Sequence, residues 1–397
     1  MRNKMLTNRR EGKKEHYFDY SLLFDVLFLL IFGIIMIYSS SSYVAERDYG
    51  SSVYFLKKQL FAVGIGLVAM FITSMLDYHI FRVFSKPIFL VSHLCLILLP
   101  FFGIESHGAK RWLSIMGISF QPAEACKLAI ILVVADLICK FGKKIDTKKG
   151  NLIIYGISIV SFLMIYRLSR NLSSALIILG ISFFMMLAVT KRSKIYMMLM
   201  AIGSAVLAVA VVIICNNNVE SSFRFKRIQA WINPELYADS TSYQTLQALY
   251  AIGSGNFWGK GLGSSMQKLG FIPEAQNDMI FSIICEELGI FGAIYVMILF
   301  VILIWRCMFI AINAKDKYGS LLAIGVMGHL AIQVILNIAV VTKTIPNTGI
   351  SLPFISYGGS SVMFLLIEIG MVLNVSRKIE LKTEEGYEPD HAEGEKV

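Results

Sequence analysis

The sequence predicts an all-α polytopic membrane protein with about ten transmembrane helices. Of its 397 residues, 56% are hydrophobic and only 16% are charged, whereas soluble domains are typically about 45–50% apolar and ~25% charged. The mean hydropathy is +0.65, and the charges cluster in short segments between long apolar runs. This pattern excludes a disordered protein, a collagen-like chain and a single soluble domain.

Ten apolar runs have the length of a membrane-spanning helix, which needs about 20 apolar residues. They lie near residues 22–40, 59–77, 86–103, 121–139, 151–168, 172–190, 194–215, 279–304, 318–342 and 361–376. Only Arg167 and Arg170 separate the fifth run from the sixth, but the two together are about twice as long as a bilayer is thick, which favours two spans. The predicted transmembrane domain therefore covers 22–377, between an N-terminal segment 1–21 and a flexible polar tail 378–397.

The distribution of Lys and Arg predicts that both termini are cytoplasmic, because basic residues hold short loops on that side of a membrane. With the N-terminus inside, cytoplasmic segments carry 23 of the 37 basic residues. The long loop 216–278, between the seventh and eighth spans, is then extracellular. The chain is expected to be a multi-pass plasma-membrane protein. The net charge of +10 follows from this topology and predicts no nucleic-acid partner.

The densest polar signal lies where the loop 216–278 enters the eighth span. The sequence Pro273-Glu-Ala-Gln-Asn-Asp278 places a carboxylate at this boundary. A carboxylate there is partly desolvated yet accessible from outside, which suits a general base. A helix N-cap formed by Asn277 or Asp278 is an equally good interpretation of the same residues.

Glu124 and Lys127 form a second polar signal, because they lie three residues apart on one face of the fourth span. They indicate either a structural ion pair or the polar wall of a cavity for a charged headgroup. Arg111 precedes this span and is followed by Trp112. This pair suits an anion site and an interfacial anchor equally well.

A third polar signal is a stripe of residues four apart in the ninth span: His329, Gln333 and Asn337. The stripe indicates either hydrogen bonds between helices or the lining of a polar cavity. Asp25 and Glu368 are candidate partners from other spans.

Four segments carry a family resemblance: IYSSSS at 37–42, RWLSIMGISFQPAEACK at 111–127, the stretch from QALYAIGSG to CEELG at 247–289, and PNTGISLPFISYGGSS at 346–361. Through them, and over about residues 17–377, the chain resembles the SEDS family of bacterial cell-wall proteins (shape, elongation, division and sporulation). The SSMQK element and the form of the PEAQND segment are more similar to the FtsW/SpoVE branch than to RodA.

The resemblance implies a bacterial peptidoglycan glycosyltransferase that polymerises lipid II into a nascent glycan, with ten helices and cytoplasmic termini. The family's essential aspartate maps to Asp278, the expected catalytic base. Its Arg and Lys map to Arg111 and Lys127, with Glu124 between them. The other candidate substrate-binding residues in these motifs are Gln267, Lys268, Glu274, Ser356 and Ser360.

The resemblance also implies a partner, a single-span class B penicillin-binding protein that crosslinks the glycan. We expect it to contact spans eight and nine and the loop 216–278, where Gly289, Gly292 and Ala293 supply small residues for close packing. A divalent cation, Mg²⁺ or Mn²⁺, could join Arg111 and Lys127 in stabilising a leaving diphosphate.

Two positions depart from the family pattern. A Gln-Pro-Asp-Leu-Gly-type motif before the sixth span is replaced by Ser169-Arg-Asn171-Leu-Ser173, without the acid, and the usual His-Thr before the essential aspartate is Gln276-Asn277. The essential carboxylate is kept, which favours the enzyme. A flippase for the lipid-linked precursor and a non-catalytic scaffold for the transpeptidase remain as alternatives.

Overall fold

The computed structural model describes residues 17–106, 109–115, 118–191, 223–240 and 242–380, together with 194 and 198. Its helices are α1 Tyr20–Tyr49, α2 Tyr54–Met75, α3 Tyr78–Phe102, α4 Pro122–Phe141, α5 Lys148–Met164, α6 Leu172–Val189, α7 Phe223–Ile232, α8 Tyr243–Ser254, α9 Ile280–Asn313, α10 Lys317–Val341 and α11 Gly359–Ser376. Three short antiparallel strands, β1 Ile104–Ser106, β2 Ala109–Ile115 and β3 Ile118–Phe120, connect α3 to α4 in the order β1-β2-β3.

The all-α membrane fold is confirmed. Eight described helices are long and apolar enough to cross a membrane, and they coincide with eight of the ten predicted spans. The predicted span 121–139 is helix α4, which is as apolar as several of these helices but carries three buried charged residues, Glu124, Lys127 and Asp136. The predicted span 194–215 lies outside the described residues except for 194 and 198, and most of the terminal segments 1–21 and 378–397 also lie outside them.

Side-chain caps and glycines set several helix ends. Asp19 accepts a hydrogen bond from the Leu22 N–H at 2.9 Å and begins α1, while Gly50, with a φ of 66°, ends it. Asp77 begins α3 and Asp316 begins α10 in the same way. An acceptor at this position satisfies a backbone donor that the first helical turn leaves free.

Helix α4 lies at the centre of the bundle, in contact with α3, α6 and α10. Its buried charges are each paired, as in the 3.0 Å contact of Asp136 Oδ1 with Arg82 Nε. Helix α2 packs closely on α11, where a side chain at Gly370 would collide with Thr73 and with the backbone of Met70. Small residues permit such close approach of two helices within a bilayer.

The two ends of the described chain meet on one face of the bundle, which we call the terminal face. The Tyr17 N–H donates to the Ile379 carbonyl at 3.4 Å. Arg306, late in α9, pairs with Asp19 at 2.6 Å. The loops between α1 and α2, between α3 and α4, and between α10 and α11 lie at the opposite end, which we call the site face.

Helix α9 bends sharply at Gly289, whose φ of 67° and ψ of −164° are not helical. A side chain there would collide with Phe257 and Gly259 of the loop that follows α8. Two fully buried carboxylates in the preceding turn pair with lysines of that loop, Glu286 with Lys260 at 2.7 Å and Glu287 with Lys268 at 2.8 Å. We call these two ion pairs the loop clasp, because they fix residues 255–268 against α9.

Candidate active site

A cavity of about 1010 Å³ opens on the site face. Its walls come from the first turns of α2, α4 and α6, from β2, and from the loops that precede α9 and α11. Phe61, Ile65 and Met363 form an apolar wall on α2 and α11. We call this space the main cavity.

The main cavity brings together residues that lie far apart in the sequence. Six of the nine predicted site residues line it: Arg111, Glu124, Lys127, Glu274, Asp278 and Ser360. Among the described residues, five cationic and three acidic side chains contribute to the lining, so the cavity favours an anionic ligand.

Asp278 is half-buried, two residues before α9 begins. Gln244 Nε2 donates to Asp278 Oδ1 at 3.3 Å, and Asn337 Nδ2 donates to the Asp278 carbonyl at 2.8 Å. Burial raises the pKa of Asp278 to about 6; the nearby charge of Glu274 also raises it, and that of Arg227 lowers it. Asp278 is therefore mostly ionised near neutral pH yet basic enough to accept a proton.

The N-cap interpretation of Asn277 and Asp278 is wrong. The capping position of α9 is Met279, and no side chain caps this helix end. Asn277 Nδ2 donates instead to Glu274 Oε2 at 2.7 Å. The Asp278 carboxylate is consequently free of a capping role.

Glu124 and Lys127 satisfy both interpretations made from the sequence. Lys127 Nζ lies 2.8 Å from Glu124 Oε2, which also accepts a hydrogen bond from Ser361 Oγ at 3.2 Å. Both charged side chains are buried, and both line the main cavity. The ion pair thus holds a polar wall in the interior of the bundle.

Arg111 stands on β2 and also lines the main cavity. Its Nε is buried and has no hydrogen-bond partner among the described residues. Burial lowers the pKa of the guanidinium, because a desolvated charge without a partner is costly. An anion in the cavity would supply the missing acceptor.

Three predicted substrate-binding residues do not line the main cavity. Lys268 belongs to the loop clasp and also donates to Ser39 Oγ at 3.0 Å. The Gln267 N–H donates to Glu286 Oε2 at 3.4 Å. Ser356 Oγ accepts from the Leu352 N–H at 2.7 Å and shapes the loop before α11. Their contacts fix the loops around the cavity.

The polar stripe of the ninth span is mostly bound within the protein. His329 Nδ1 lies 2.8 Å from Glu368 Oε2 on α11, a contact between helices. Gln333 donates to the Ser351 carbonyl at 3.0 Å and Asn337 to the Ile350 carbonyl at 2.7 Å, so both brace the loop before α11. Of the three, Gln333 also lines the main cavity.

The two departures from the family pattern have local explanations. Asn171 Oδ1 accepts from the Ser174 N–H at 3.0 Å and caps α6, a role that Asn fills as well as Asp. Gln276 is buried, and its carbonyl accepts from the Tyr357 N–H at 2.8 Å. Both residues therefore help to shape the cavity loops.

Several lining residues were not predicted from the sequence: Lys57, Lys58, Arg227, Gln244 and Asn347. The adjacent pair Lys57-Lys58 could have been recognised from the sequence. Basic residues are disfavoured on short extracellular loops, so two of them on a predicted extracellular loop indicate another use. Gln244 and Asn347 lie in loop segments without a distinctive pattern, and only the fold brings them to Asp278.

Comparison with known proteins places this site in a family context. A family model for FtsW, RodA and SpoVE, described as a cell cycle protein, matches residues 20–381. Stage V sporulation protein E of Bacillus subtilis (strain 168) is 38% identical over 362 residues, covering 90% of this chain and 97% of that protein. A probable peptidoglycan glycosyltransferase FtsW of Trichlorobacter lovleyi is 37% identical over 366 residues, covering 92% and 94%.

Solved structures share the same fold. A chain from a structure described as structural coordination of polymerization and crosslinking by a peptidoglycan synthase complex matches with a TM-score of 0.74 at 25% identity, covering 91% of this chain and 98% of that one. RodA of Thermus thermophilus, at 24% identity, matches with a TM-score of 0.66 and covers 91% and 97%. The family match and the two relatives confirm the resemblance seen in the motifs: the chain belongs to the FtsW/RodA/SpoVE family, on its FtsW/SpoVE branch.

Proposed function

We propose that this protein is a peptidoglycan glycosyltransferase that polymerises lipid II into glycan strands. The observation that carries the proposal is a half-buried carboxylate, Asp278, in the same cavity as Arg111, whose buried Nε has no hydrogen-bond partner among the described residues. A base beside an anion site is what transfer from a lipid-linked diphosphate requires. Relatives named as peptidoglycan glycosyltransferases support the same activity.

The proposed reaction begins with the C4 hydroxyl of the acceptor sugar beside Asp278. The carboxylate takes the hydroxyl proton while the oxygen attacks the anomeric carbon of the donor sugar. The new bond joins O4 to that carbon, and the bond from the carbon to the phosphate oxygen breaks. The lipid diphosphate leaves with the electron pair, and Asp278 later releases its proton to solvent.

The cationic side chains support the leaving group in this scheme. Arg111 offers a buried donor, Nε, without a described partner, and Lys127 is held in place by Glu124. Lys57 and Lys58 stand at the start of α2, next to the apolar wall that suits a polyprenyl chain. Fixed positive charges in a partly desolvated site stabilise a developing anion more strongly than they would in water.

We also propose that a divalent cation, Mg²⁺ or Mn²⁺, assists the reaction. The described residues contain no group of three or more His, Cys, Asp or Glu side chains that could hold a metal. Glu274 lines the main cavity, and Asn277 Oδ1 nearby is buried without a described partner. These oxygens suit Mg²⁺, which commonly takes one or two protein ligands and completes its shell with water and phosphate. The cation would neutralise charge on the diphosphate.

The flippase alternative depended on the polar stripe in the ninth span. His329 is paired with Glu368, and Asn337 braces the loop before α11. The stripe thus has a structural use, which favours glycosyl transfer over transport. Polymerisation by the purified chain in detergent would separate the enzyme from both a flippase and a non-catalytic scaffold, because only the enzyme needs neither a membrane nor a catalytic partner.

Replacing Asp278 with Asn tests the catalytic role. Asp278→Asn keeps the size and the hydrogen bond from Gln244 but removes the proton acceptor. We expect polymerisation of lipid II to fall by about 10²–10⁴-fold, the usual contribution of a general base. Expression and thermal stability should remain near those of the parent. Asp239→Asn, in an exposed carboxylate of the same loop, is the matched control. Near-normal glycan synthesis by Asp278→Asn would refute the assignment.

The rate should also depend on pH through Asp278, which acts only when deprotonated. We expect polymerisation to rise with pH through about 6 and then level off. Arg227→Gln should move the midpoint to higher pH, because that cation lowers the pKa of Asp278, and Glu274→Gln should move it lower. Glu274→Gln should also raise the Mg²⁺ concentration needed for half-maximal rate. Identical midpoints in all three proteins would contradict this account.

We propose that the site face is extracellular and that both termini are cytoplasmic, in a bacterial plasma membrane. The basic residues of the short loops support this orientation. A cysteine placed at exposed Ser240 should react with an impermeant thiol reagent in intact cells, and one placed at Glu395 should not. The reverse labelling pattern would invert the topology.

We further propose that a class B penicillin-binding protein binds along α9, as the relative from a peptidoglycan synthase complex suggests. Two residues of the small-residue surface expected for this contact, Gly289 and Ala293, are buried within the chain and cannot meet a partner, whereas Gly292 is partly exposed. The exposed face of α9 instead carries large apolar residues: Ile294, Ile298 and Val301.

Changing these three α9 residues to Ala should weaken copurification with the transpeptidase, because contacts between membrane helices depend on packing. A matched triple change on α3, at the equally exposed Leu90, Val91 and Leu94, should leave copurification intact. Equal recovery of the partner with both triple variants would place the interface elsewhere.

A further inference from the structure

A second, smaller cavity of about 300 Å³ adjoins the main cavity. The two spaces share three lining residues, Arg227, Gln244 and Asn347. These residues form a partition between the two spaces. We call the smaller space the side pocket.

Hydrogen bonds hold the partition together and connect it to Asp278. Arg227 Nη1 donates to the Asn347 carbonyl at 3.2 Å, and Asn347 Nδ2 donates to Gln244 Oε1 at 3.1 Å. Gln244 Nε2 reaches Asp278 Oδ1 at 3.3 Å. The proposed base therefore stands at the boundary between the main cavity and the side pocket.

The side pocket differs from the main cavity in its chemistry. Its lining includes Trp231, Ser240, Thr245 and Lys343, but none of the described residues that line it is acidic. Trp231 Nε1 donates to the Lys343 carbonyl at 2.8 Å, which fixes the indole. A fixed aromatic ring among hydroxyl, amide and cationic donors suits a sugar, whose C–H surface packs on the ring while its oxygens accept hydrogen bonds.

The sizes of the two spaces indicate which part of the substrate each one takes. The main cavity has the apolar wall of Phe61 and Met363 and the Arg111 Nε, which lacks a partner in the described part of the chain, so it suits a lipid-linked diphosphate. The side pocket, at the lower end of the roughly 300–1,000 Å³ typical of ligand sites, is too small for a polyprenyl chain.

We infer that the side pocket is a sugar subsite that holds the growing glycan next to its reacting end. This inference rests on the proposed glycosyltransferase function. The glycan then extends from the anomeric carbon past Gln244 toward Trp231, while its lipid diphosphate stays in the main cavity. A chain held at a second point dissociates less often between couplings, so the subsite determines product length.

The test compares glycan lengths at equal lipid II consumption. Trp231→Ala should shorten the mean chain by roughly two- to tenfold, the change in equilibrium that a lost aromatic contact of about 0.5–1.5 kcal/mol produces. Trp231→Phe keeps a ring and should restore most of the length. Leu236→Ala, at a highly exposed apolar residue of the same segment outside both cavities, is the control and should give parental lengths.

A purely structural role for Trp231 would slow the reaction without shortening chains at equal consumption, and that result would overturn the inference. Chains from Trp231→Phe as short as those from Trp231→Ala would overturn it as well, since the bond to Lys343 would then be the important contact.

A binding measurement separates this inference from the proposed function. Saturation-transfer NMR of the purified full chain with a lipid-free N-acetylated oligosaccharide should show contact in the parent and in Asp278→Asn, and a several-fold weaker signal in Trp231→Ala. A parent that binds this probe but does not polymerise lipid II would refute the glycosyltransferase and leave the sugar site in place. A parent signal that Trp231→Ala does not weaken would refute the subsite.

Discussion

The packing of helices and loops in this protein depends on ion pairs between charged side chains that are buried in the helix bundle. Glu286 and Glu287 are fully buried in the first turns of α9, and each would be costly there without its lysine. Because Lys260 and Lys268 come from the loop after α8, the two ion pairs also determine where that loop lies. Ser39 on α1 donates to Glu287 at 2.8 Å and joins a third element to the same cluster. Removing one partner would leave a buried charge and release the loop.

The loop clasp matters for function because the clasped loop leads directly to Asp278. The bend at Gly289 lets residues 257–259 approach α9 closely, and the chain then returns along the site face to the carboxylate. On the other side, Asn337 fixes the Asp278 carbonyl and the loop before α11 together. The proposed base is thereby held at its backbone carbonyl, and its carboxylate, which accepts a hydrogen bond from Gln244, can still exchange a proton.

The candidate site has two regions, the main cavity and the side pocket, which differ in their charged residues. Arg111 and the pair of Lys127 with Glu124 lie in the main cavity. The partition of Arg227, Gln244 and Asn347 separates this region from the side pocket. In the proposed reaction, the carboxylate at the boundary, with a pKa raised by burial, stands beside the anomeric carbon of the donor, between its diphosphate and its glycan.

The sequence by itself determined the membrane fold, because apolar length and charge segregation are local properties that a bilayer selects directly. Its compact motifs also selected Asp278, Arg111 and Lys127 as candidate site residues, and all three line the main cavity. Tertiary structure decided what distant residues do: it placed Lys268 in an ion pair outside the cavity, left Asp278 free of a capping role, and brought Gln244 to Asp278. No local pattern encodes such contacts, since they arise only when helices and loops separated by many residues pack around buried charges.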